Sequence, residues 1–547
     1  MVLLIVLAVS PWFGDYLGRV YLNRPVFGDA VLNPVERFCY RLLGTSPRRS
    51  MRPGEYAFAL LALNAAVIVW LFLLLTFQGE LPGNPVGVQG MEWTLAFHTS
   101  ASFDTNTDFT HFLPESQLSQ TAAILGLQVA LFVSAASGLA VVVAMIRGFV
   151  RKDGTLGNFY VDIVRTMTRV LLPLSLFGAI VLVLLGLPQT LPGPVLHFLV
   201  PGPYTAPLGP VASWTSIELF GSNGGGFYQY NAGTPLTNPT AISNLVETAM
   251  MMLIPFGFAF AFGSLVRRRA EAWPYLGAVL VVFLLGLGIF LYAQASVGYP
   301  LVGAVPPSPS FPTGEASLFQ VVSVYGNVGA NNMNIGALTP IAQMDLLFGM
   351  FTQSTPGGDG TGFGMLLIYA LIAVFVGGLM VGRTPEYLGK RIGTGPIKWA
   401  AAVLLSHPAL ILVPTAVAVL GGFVSAAQGP GVPITDPAHQ AYTFTAVLYE
   451  FTSESANNGS AMGNIGDTSP FFNLTGALVM LIGRYFPMVG MIYIGGLLAR
   501  QDVLPPGPGT MRTSSVTFTV FLTGIVIILA GLLFLPVIAL GPLSQLT

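Results

Sequence analysis

Charge is what this chain has least of. Only 8% of its 547 residues are Asp, Glu, Lys or Arg, against roughly 25% in an average soluble domain. That excludes an ordinary water-soluble domain. The net charge of −1 lacks the basic footprint that nucleic-acid binding requires. A single cysteine, Cys39, excludes an internal disulfide and a cysteine metal cluster, and reads as a small apolar filler. The five histidines, His98, His111, His197, His407 and His439, are scattered and suggest no metal site. His98 reads as a packed, hydrogen-bonded residue. There is no Gly-x-x-x-x-Gly-Lys-Ser/Thr phosphate loop, no Asp-Lys-Thr-Gly-Thr phosphorylation motif, and no loop long enough for a nucleotide-binding domain. ATP hydrolysis on this polypeptide is therefore not expected.

Apolar residues are what the chain has in quantity. It is 53% hydrophobic, with a mean hydropathy of +0.72, and reads as an all-α polytopic membrane protein. Its 64 glycines and 41 prolines suit close helix contacts and broken helices. About 20 apolar residues cross a lipid bilayer as a helix. Ten spans are expected, at 1–22, 54–78, 117–146, 159–187, 240–267, 273–295, 338–382, 398–423, 471–499 and 514–538. The first lacks a basic n-region and a small-residue cleavage site, so it reads as a transmembrane helix rather than a signal sequence. The seventh is too long for one helix and contains Ser354–Gly362, read as a flexible break inside a single crossing.

With these spans, 21 of the 22 Lys and Arg fall on one face. They run from Arg19 to Arg52, from Arg147 to Arg169, from Arg267 to Arg269, from Arg383 to Lys398, and end with Arg500 and Arg512. The opposite loops carry Glu80, Glu115, Asp436 and Asp467 and no basic residue. Cytoplasmic loops carry the positive excess, so the basic face is expected inside and both termini outside. The Pro-rich, nearly uncharged loops 188–210 and 296–314 read as ordered caps on the outer side. The remaining basic residue, Arg484, falls within the ninth span. A charge at that depth is costly and faces a bundle interior or a wet cavity. A structural pairing with Glu450 or Glu454 is the alternative.

Four polar stretches interrupt the apolar pattern, at 98–107, 214–226, 319–327 and 451–460. Non-helical backbone at membrane depth survives only inside protein or beside a water-filled cavity. Without the first and last spans, the chain divides into four units of span, re-entrant stretch and span: 54–154, 155–269, 270–397 and 398–500. Segments 1–53 and 501–547 flank them. Thr105-Asn106-Thr107 falls on Ser222-Asn223-Gly224 and on Asn457-Asn458-Gly459. In the divergent third unit the best match is Val324-Tyr325-Gly326. Four such units around an axis would enclose a pore lined by backbone carbonyls, as in potassium channels. Pore helices are expected at 92–101, 212–219, 316–323 and 443–452. Their partly negative carboxyl-terminal ends favour a cation. Asp104 and Asp108 are expected to add to a cation-attracting mouth.

These stretches, with Asn238-Pro239-Thr240 and the cytoplasmic stretch Gly382-Arg383-Thr384-Pro385-Glu386-Tyr387-Leu388-Gly389-Lys390, resemble the potassium-binding A subunits of the Kdp potassium-transporting P-type ATPase family. The resemblance covers nearly the whole chain. It implies a K+ selectivity filter on the outer side of an inner-membrane protein. It implies a separate P-type ATPase B subunit that hydrolyses ATP, a small C subunit and a small single-span F subunit. Potassium would pass from the filter through an intramembrane tunnel toward the B subunit. Arg484 matches a family arginine below the filter that influences ion passage. Thr110 stands where the family often has a glutamine linked to ion affinity, and the third loop, 325–332, is longer than the family pattern. A passive potassium channel or symporter subunit of the same fourfold superfamily is the alternative. Inverted-repeat transporters are disfavoured because all four stretches enter from one side, and a non-conducting scaffold predicts no ion at the loops.

Overall fold

The computed structural model describes residues 1–84, 87–190, 195–198, 204–298, 311–380, 382, 384–424, 437–463, 465–505 and 511–546. Asp436, Arg383 and most of the loop 296–314 lie outside the described residues, as does part of the loop 188–210. Among the described residues ten helices are long and apolar enough to cross a membrane: Val2–Tyr21, Pro53–Thr76, Ala122–Val150, Phe159–Leu184, Ala241–Leu265, Arg269–Gln294, Thr361–Met380, Thr394–Leu420, Pro470–Leu498 and Val516–Leu540. The protein is an all-α polytopic membrane protein.

Polar residues at the starts of these helices satisfy N–H groups that lack an intrahelical partner. The Asn158 side chain accepts from the N–H groups of Tyr160 and Val161. Thr240 and Ser243 form a reciprocal capping pair, and Ser469 accepts from Phe472 N–H. Small residues then set the packing. A side chain at Gly14 would strike the Gly257 carbonyl, and one at Gly18 would lie 2.6 Å from Ser264 Cβ. The first span therefore lies flush against the fifth through a Gly-x-x-x-Gly face, the usual device for close helix approach in lipid. The third span is the central pillar: 89% of its most apolar window is buried, against 28% for the second.

The seventh crossing differs from expectation. Pro340–Thr352 and Thr361–Met380 are separate helices, and every residue from Gln353 to Gly360 is buried. The break is a tightly packed intramembrane turn rather than a flexible one. A side chain at Gly360 would meet the Gly138 carbonyl of the third span, and Gly357 N–H donates to Tyr325 O at 2.9 Å.

The basic loops interlock on one face. Arg147 grips Asp162 with both terminal nitrogens, at 2.6 and 2.8 Å. Asp29 bonds to Arg169, which holds its carboxyl below the ordinary range. Glu386–Tyr387 and Lys390–Arg391 form a short antiparallel hairpin. Lys390 donates to the carbonyls of Arg151 and Gln501, and burial lowers its pKa, helped by the nearby charge of Lys152.

Between paired spans stand four short helices, Trp93–Asp104, Val211–Phe220, Thr313–Tyr325 and Pro437–Ala456. Each follows an even-numbered span and precedes an odd-numbered one, so all four start from the side opposite the basic loops. They run longer than expected at their carboxyl ends, with consequences for the loops that follow.

Candidate ion-binding site

The four short helices end in the same way. One residue enters the left-handed region: Asn106 (φ 66°), Ser222 (51°), Asn327 (48°) and Asn457 (54°). The next N–H then reaches back into the last helical turn. Thr107 bonds to Ser102 O at 3.0 Å, Asn223 to Glu218 O, Val328 to Ser323 O and Asn458 to Ser453 O, each of these three at 2.8 Å. This is the Schellman termination, with Asn or Ser where glycine is commonest. The position after it is Asp108, Gly224, Gly329 or Gly459.

These equivalences correct two expected registers. Ser222-Asn223-Gly224 does fall on Asn457-Asn458-Gly459. The matching triplet in the first loop, however, is Asn106-Thr107-Asp108, one residue later than expected. Thr105 is the helix cap, and its hydroxyl lies 2.7 Å from that of Thr107. In the third loop the triplet is Asn327-Val328-Gly329, three residues later. Val324 and Tyr325 are still helical and Gly326 caps the helix. The Tyr325 ring points away from the loops: its hydroxyl donates to Asp345 Oδ1 at 2.9 Å, and it fills the space that Gly286 and Gly349 leave open.

The structure brings the loops to one point. A side chain at Gly224 would stand 2.5 Å from both the Thr107 and the Asn458 carbonyl oxygens. One at Gly329 would run into Asn458 O, and one at Gly459 into Thr107 O; both would also crowd Gly224 Cα. Three glycines and two inward carbonyls therefore share a single axis. Side-chain amides tie loop to loop around it. Asn106 Nδ2 donates to Gly221 O at 3.1 Å and to Ser222 O. Asn457 Nδ2 donates to the Thr107 hydroxyl at 2.9 Å, and Asn458 Nδ2 to Val324 O at 3.1 Å. The first loop has Asp108 where the others have glycine, and its Oδ2 accepts Gly224 N–H at 3.0 Å. Asn223 turns outward from the axis, against Leu131 O and the Ser134 hydroxyl.

On one side the axis opens into a cavity of about 290 Å³ lined by Thr110, Gly224, Gly459, Asn331, Asn334 and Asp467. It has room for several waters. Asp104 is absent from this mouth, contrary to expectation. As the last residue of the first short helix it lies at the far end of the loop, where the Tyr485 hydroxyl donates to it. Asp108 is also buried, within the ring wall.

Arg484 stands next to Tyr485, on the same side of the loops as Asp104. Its Nη2 donates to Ser134 O at 3.0 Å and its Nη1 to the Thr361 hydroxyl at 3.1 Å. It pairs with neither Glu450 nor Glu454. Among the described residues it forms no ion pair with a carboxylate within 4 Å. Asp104, Asp359 and Asp108 are its acidic neighbours. Asp359, in the buried turn of the seventh crossing, accepts from the Ser222 hydroxyl at 3.2 Å. Sequence reasoning missed it, although an acidic residue inside an apolar span is itself a signal of function.

Comparison with known proteins decides the family. The family model described as "Potassium-transporting ATPase A subunit" matches residues 1–546. The chain belongs to this family. Curated relatives share its full length. A Pseudomonas aeruginosa protein is 40% identical over 99% of this chain and 96% of its own. One from Gloeobacter violaceus is 38% identical with the same coverage, and one from Geobacillus kaustophilus is 39% identical over 99% and 97%. All three relatives are named potassium-transporting ATPase potassium-binding subunit. In this member of the family the loops are therefore the first place to look for ion chemistry.

Proposed function

We propose that this chain binds K+ from outside the cell at the ring where its four loops meet. It then passes the ion into the membrane part of an ATP-driven potassium uptake complex. Four units, 54–154, 155–269, 270–397 and 398–500, contribute one loop each. The observation that carries the reading is the convergence of Gly224, Gly329 and Gly459 with the carbonyls of Thr107 and Asn458 on one axis. Peptide carbonyls held by a rigid surround replace an ion's hydration shell without placing a fixed charge on the path. The carboxyl ends of four helices aimed at the same place add partial negative charge. Thr110 lines the outer cavity, and Arg484 meets the ion beyond the ring. Hydrolysis belongs to a separate P-type ATPase B subunit, with small C and F subunits completing the complex. The chain sits in the inner membrane with its basic loops in the cytoplasm and both termini outside.

The test is potassium-stimulated ATPase activity of the purified complex, comparing wild type with Gly224→Ser and Gly459→Ser. We expect half-saturating potassium to rise at least ~10-fold, about 1.4 kcal/mol of lost binding, with weaker discrimination against sodium. Unchanged affinity and discrimination in both variants would sink the ring as the binding site. Potassium flux that needs no ATP would favour a passive channel or symporter subunit.

A further inference from the structure

The first two spans are joined through a helix, Asp29–Leu42, whose polarity is inverted for a surface helix. Its protein-facing side is polar. Asp29, Asn33, Glu36 and Tyr40 recur at helical spacing and turn toward the start of the fourth span. Arg169 of that span bonds to Asp29 and Glu36, and donates to Asn33 Oδ1 at 2.8 Å. The Tyr40 hydroxyl donates to Glu36 at 3.2 Å. The outward side is apolar. Val31, Val35, Phe38 and Leu42 repeat at the same spacing and are all exposed, Phe38 by 63% and Leu42 by 77%. At 3.6 residues per turn the two rows lie on opposite faces. Phe27, just before the helix, is almost fully exposed.

Position and charge decide what meets this stripe. The first span ends at Tyr21 and the second begins at Pro53, so both ends of the connection are tied to the membrane boundary. Arg169 lies ten residues into the span that starts at Phe159, about 15 Å along it at 1.5 Å per residue. The helix therefore lies beside the first turns of a membrane span. Just past Arg169 that span exposes Leu172, Leu176, Phe177 and Ile180, and the stripe adjoins this lipid-facing surface. Arg37 and Arg41 stand on the flank between the two faces, and Arg24 and Arg48 on the connections at either end. All four are exposed. None forms an ion pair among the described residues, because the helix's own acids, Asp29 and Glu36, are taken from the other side. Arginine stems can lie along apolar surface while the guanidinium reaches a polar layer.

We propose that the helix Asp29–Leu42 docks on the bilayer surface, with Val31, Val35, Phe38 and Leu42 among the acyl chains and Arg37 and Arg41 on the phosphates of anionic phospholipids. An interfacial helix of this kind sinks its apolar face about 5–10 Å into the headgroup boundary. The polar face serves the same arrangement. Arg169 needs carboxylates at that level of the span, and Asp29 and Glu36 supply them. Held by Arg169 on one face and by lipid on the other, the helix fixes the end of the first span against the start of the fourth.

The test uses the assembled complex in vesicles of phosphatidylethanolamine and phosphatidylglycerol. Cys39→Ser removes the chain's one cysteine, and a nitroxide is attached at Val35→Cys, Phe38→Cys or Ser46→Cys, one at a time. All three positions are exposed, so the labels displace no packed side chain, and an unchanged Tm checks this. Oxygen concentrates in lipid and a nickel chelate stays in water. The ratio of oxygen to chelate accessibility at 35 and 38 should exceed that at 46 by at least ~5-fold, as burial in the headgroup boundary requires. Replacing phosphatidylglycerol with phosphatidylcholine should lower the ratio at 38, and an unchanged ratio would overturn the arginine contacts. Equal ratios at 35, 38 and 46 would put the stripe in water. Labels at 35 and 38 shielded from both reagents would put a partner subunit there. Either result overturns the docking. No potassium enters the readout, so failure here leaves the ion-binding reading untouched.

Discussion

The loop ring and the layer beneath it meet at Ser222 and Asp104, yet they are built by opposite means. In the ring the backbone does the facing. Gly224, Gly329 and Gly459 leave no room for a Cβ on the axis, while the Asn106, Asn223, Asn457 and Asn458 side chains turn away to hold neighbouring segments. Beneath it side chains do the facing: Arg484 is fixed by Ser134 O and Thr361, among Asp104, Asp359 and Asp108. A site that must choose one ion needs a geometry that cannot relax, and backbone braced by amides supplies it. On the proposed function, a site that must release the ion can instead use a charge carried on a side chain. Asp108 crosses this division, bringing a carboxylate into the ring to hold Gly224 N–H.

The largest effect is expected where the ring admits no side chain. Gly329→Ala forces a Cβ against Asn458 O at a backbone φ of 87°. The left-handed conformation alone costs about 1–2 kcal/mol for a residue with a Cβ. Half-saturating potassium in the ATPase assay should rise ~100-fold or stimulation should vanish, while Gly314→Ala, which meets nothing within 4 Å, should be silent. Equal behaviour of the two would show that the third loop does not share the axis. Arg484→Met comes next. It removes the charge but keeps an apolar stem of similar length, so turnover should change about 10-fold, ~1.4 kcal/mol, with the complex still assembled. Loss of assembly on gel filtration would make Arg484 a brace between three spans rather than a participant in ion passage.

Hydropathy made the spans legible, because a bilayer demands long apolar helices whatever the family. The loops were legible in kind but only partly in register. Loops two and four align because Ser222-Asn223-Gly224 and Asn457-Asn458-Gly459 each end in the glycine that meets the axis. The first loop slipped because its axial position is Asp108, so matching Asn106 to Asn223 and Asn458 looked better than matching backbone roles. Where a helix stops depends on capping bonds such as Val328 N to Ser323 O, which composition does not reveal. The buried contact of His111 with Glu450 was hidden for another reason: the two are 339 residues apart in sequence, and spacing rules see only local neighbours. His98 stacks on His111 but, contrary to expectation, neither of its ring nitrogens has a hydrogen-bond partner. The buried turn at Asp359 read as flexible because glycine suits both a loose linker and a close contact.

The smallest effect on potassium is expected from Tyr325→Phe, and it separates the two registers of the third loop. With Val324-Tyr325-Gly326 as the axial triplet, a change at Tyr325 would disturb the ring directly. In the structure its hydroxyl instead serves Asp345 at 2.9 Å, between the sixth span and the first half of the seventh crossing. Removing that donor leaves Asp345 without a partner, since its other oxygen already has none. The cost should be about 1–3 kcal/mol of stability, seen as a lower Tm. The backbone at 325 still accepts Gly357 N–H, so the loop beyond it keeps its path. Half-saturating potassium should therefore stay within about twofold of wild type, well short of the tenfold that 1.4 kcal/mol would produce. A loss of affinity approaching that of Gly329→Ala would return Tyr325 to the axis and overturn the register based on Asn327.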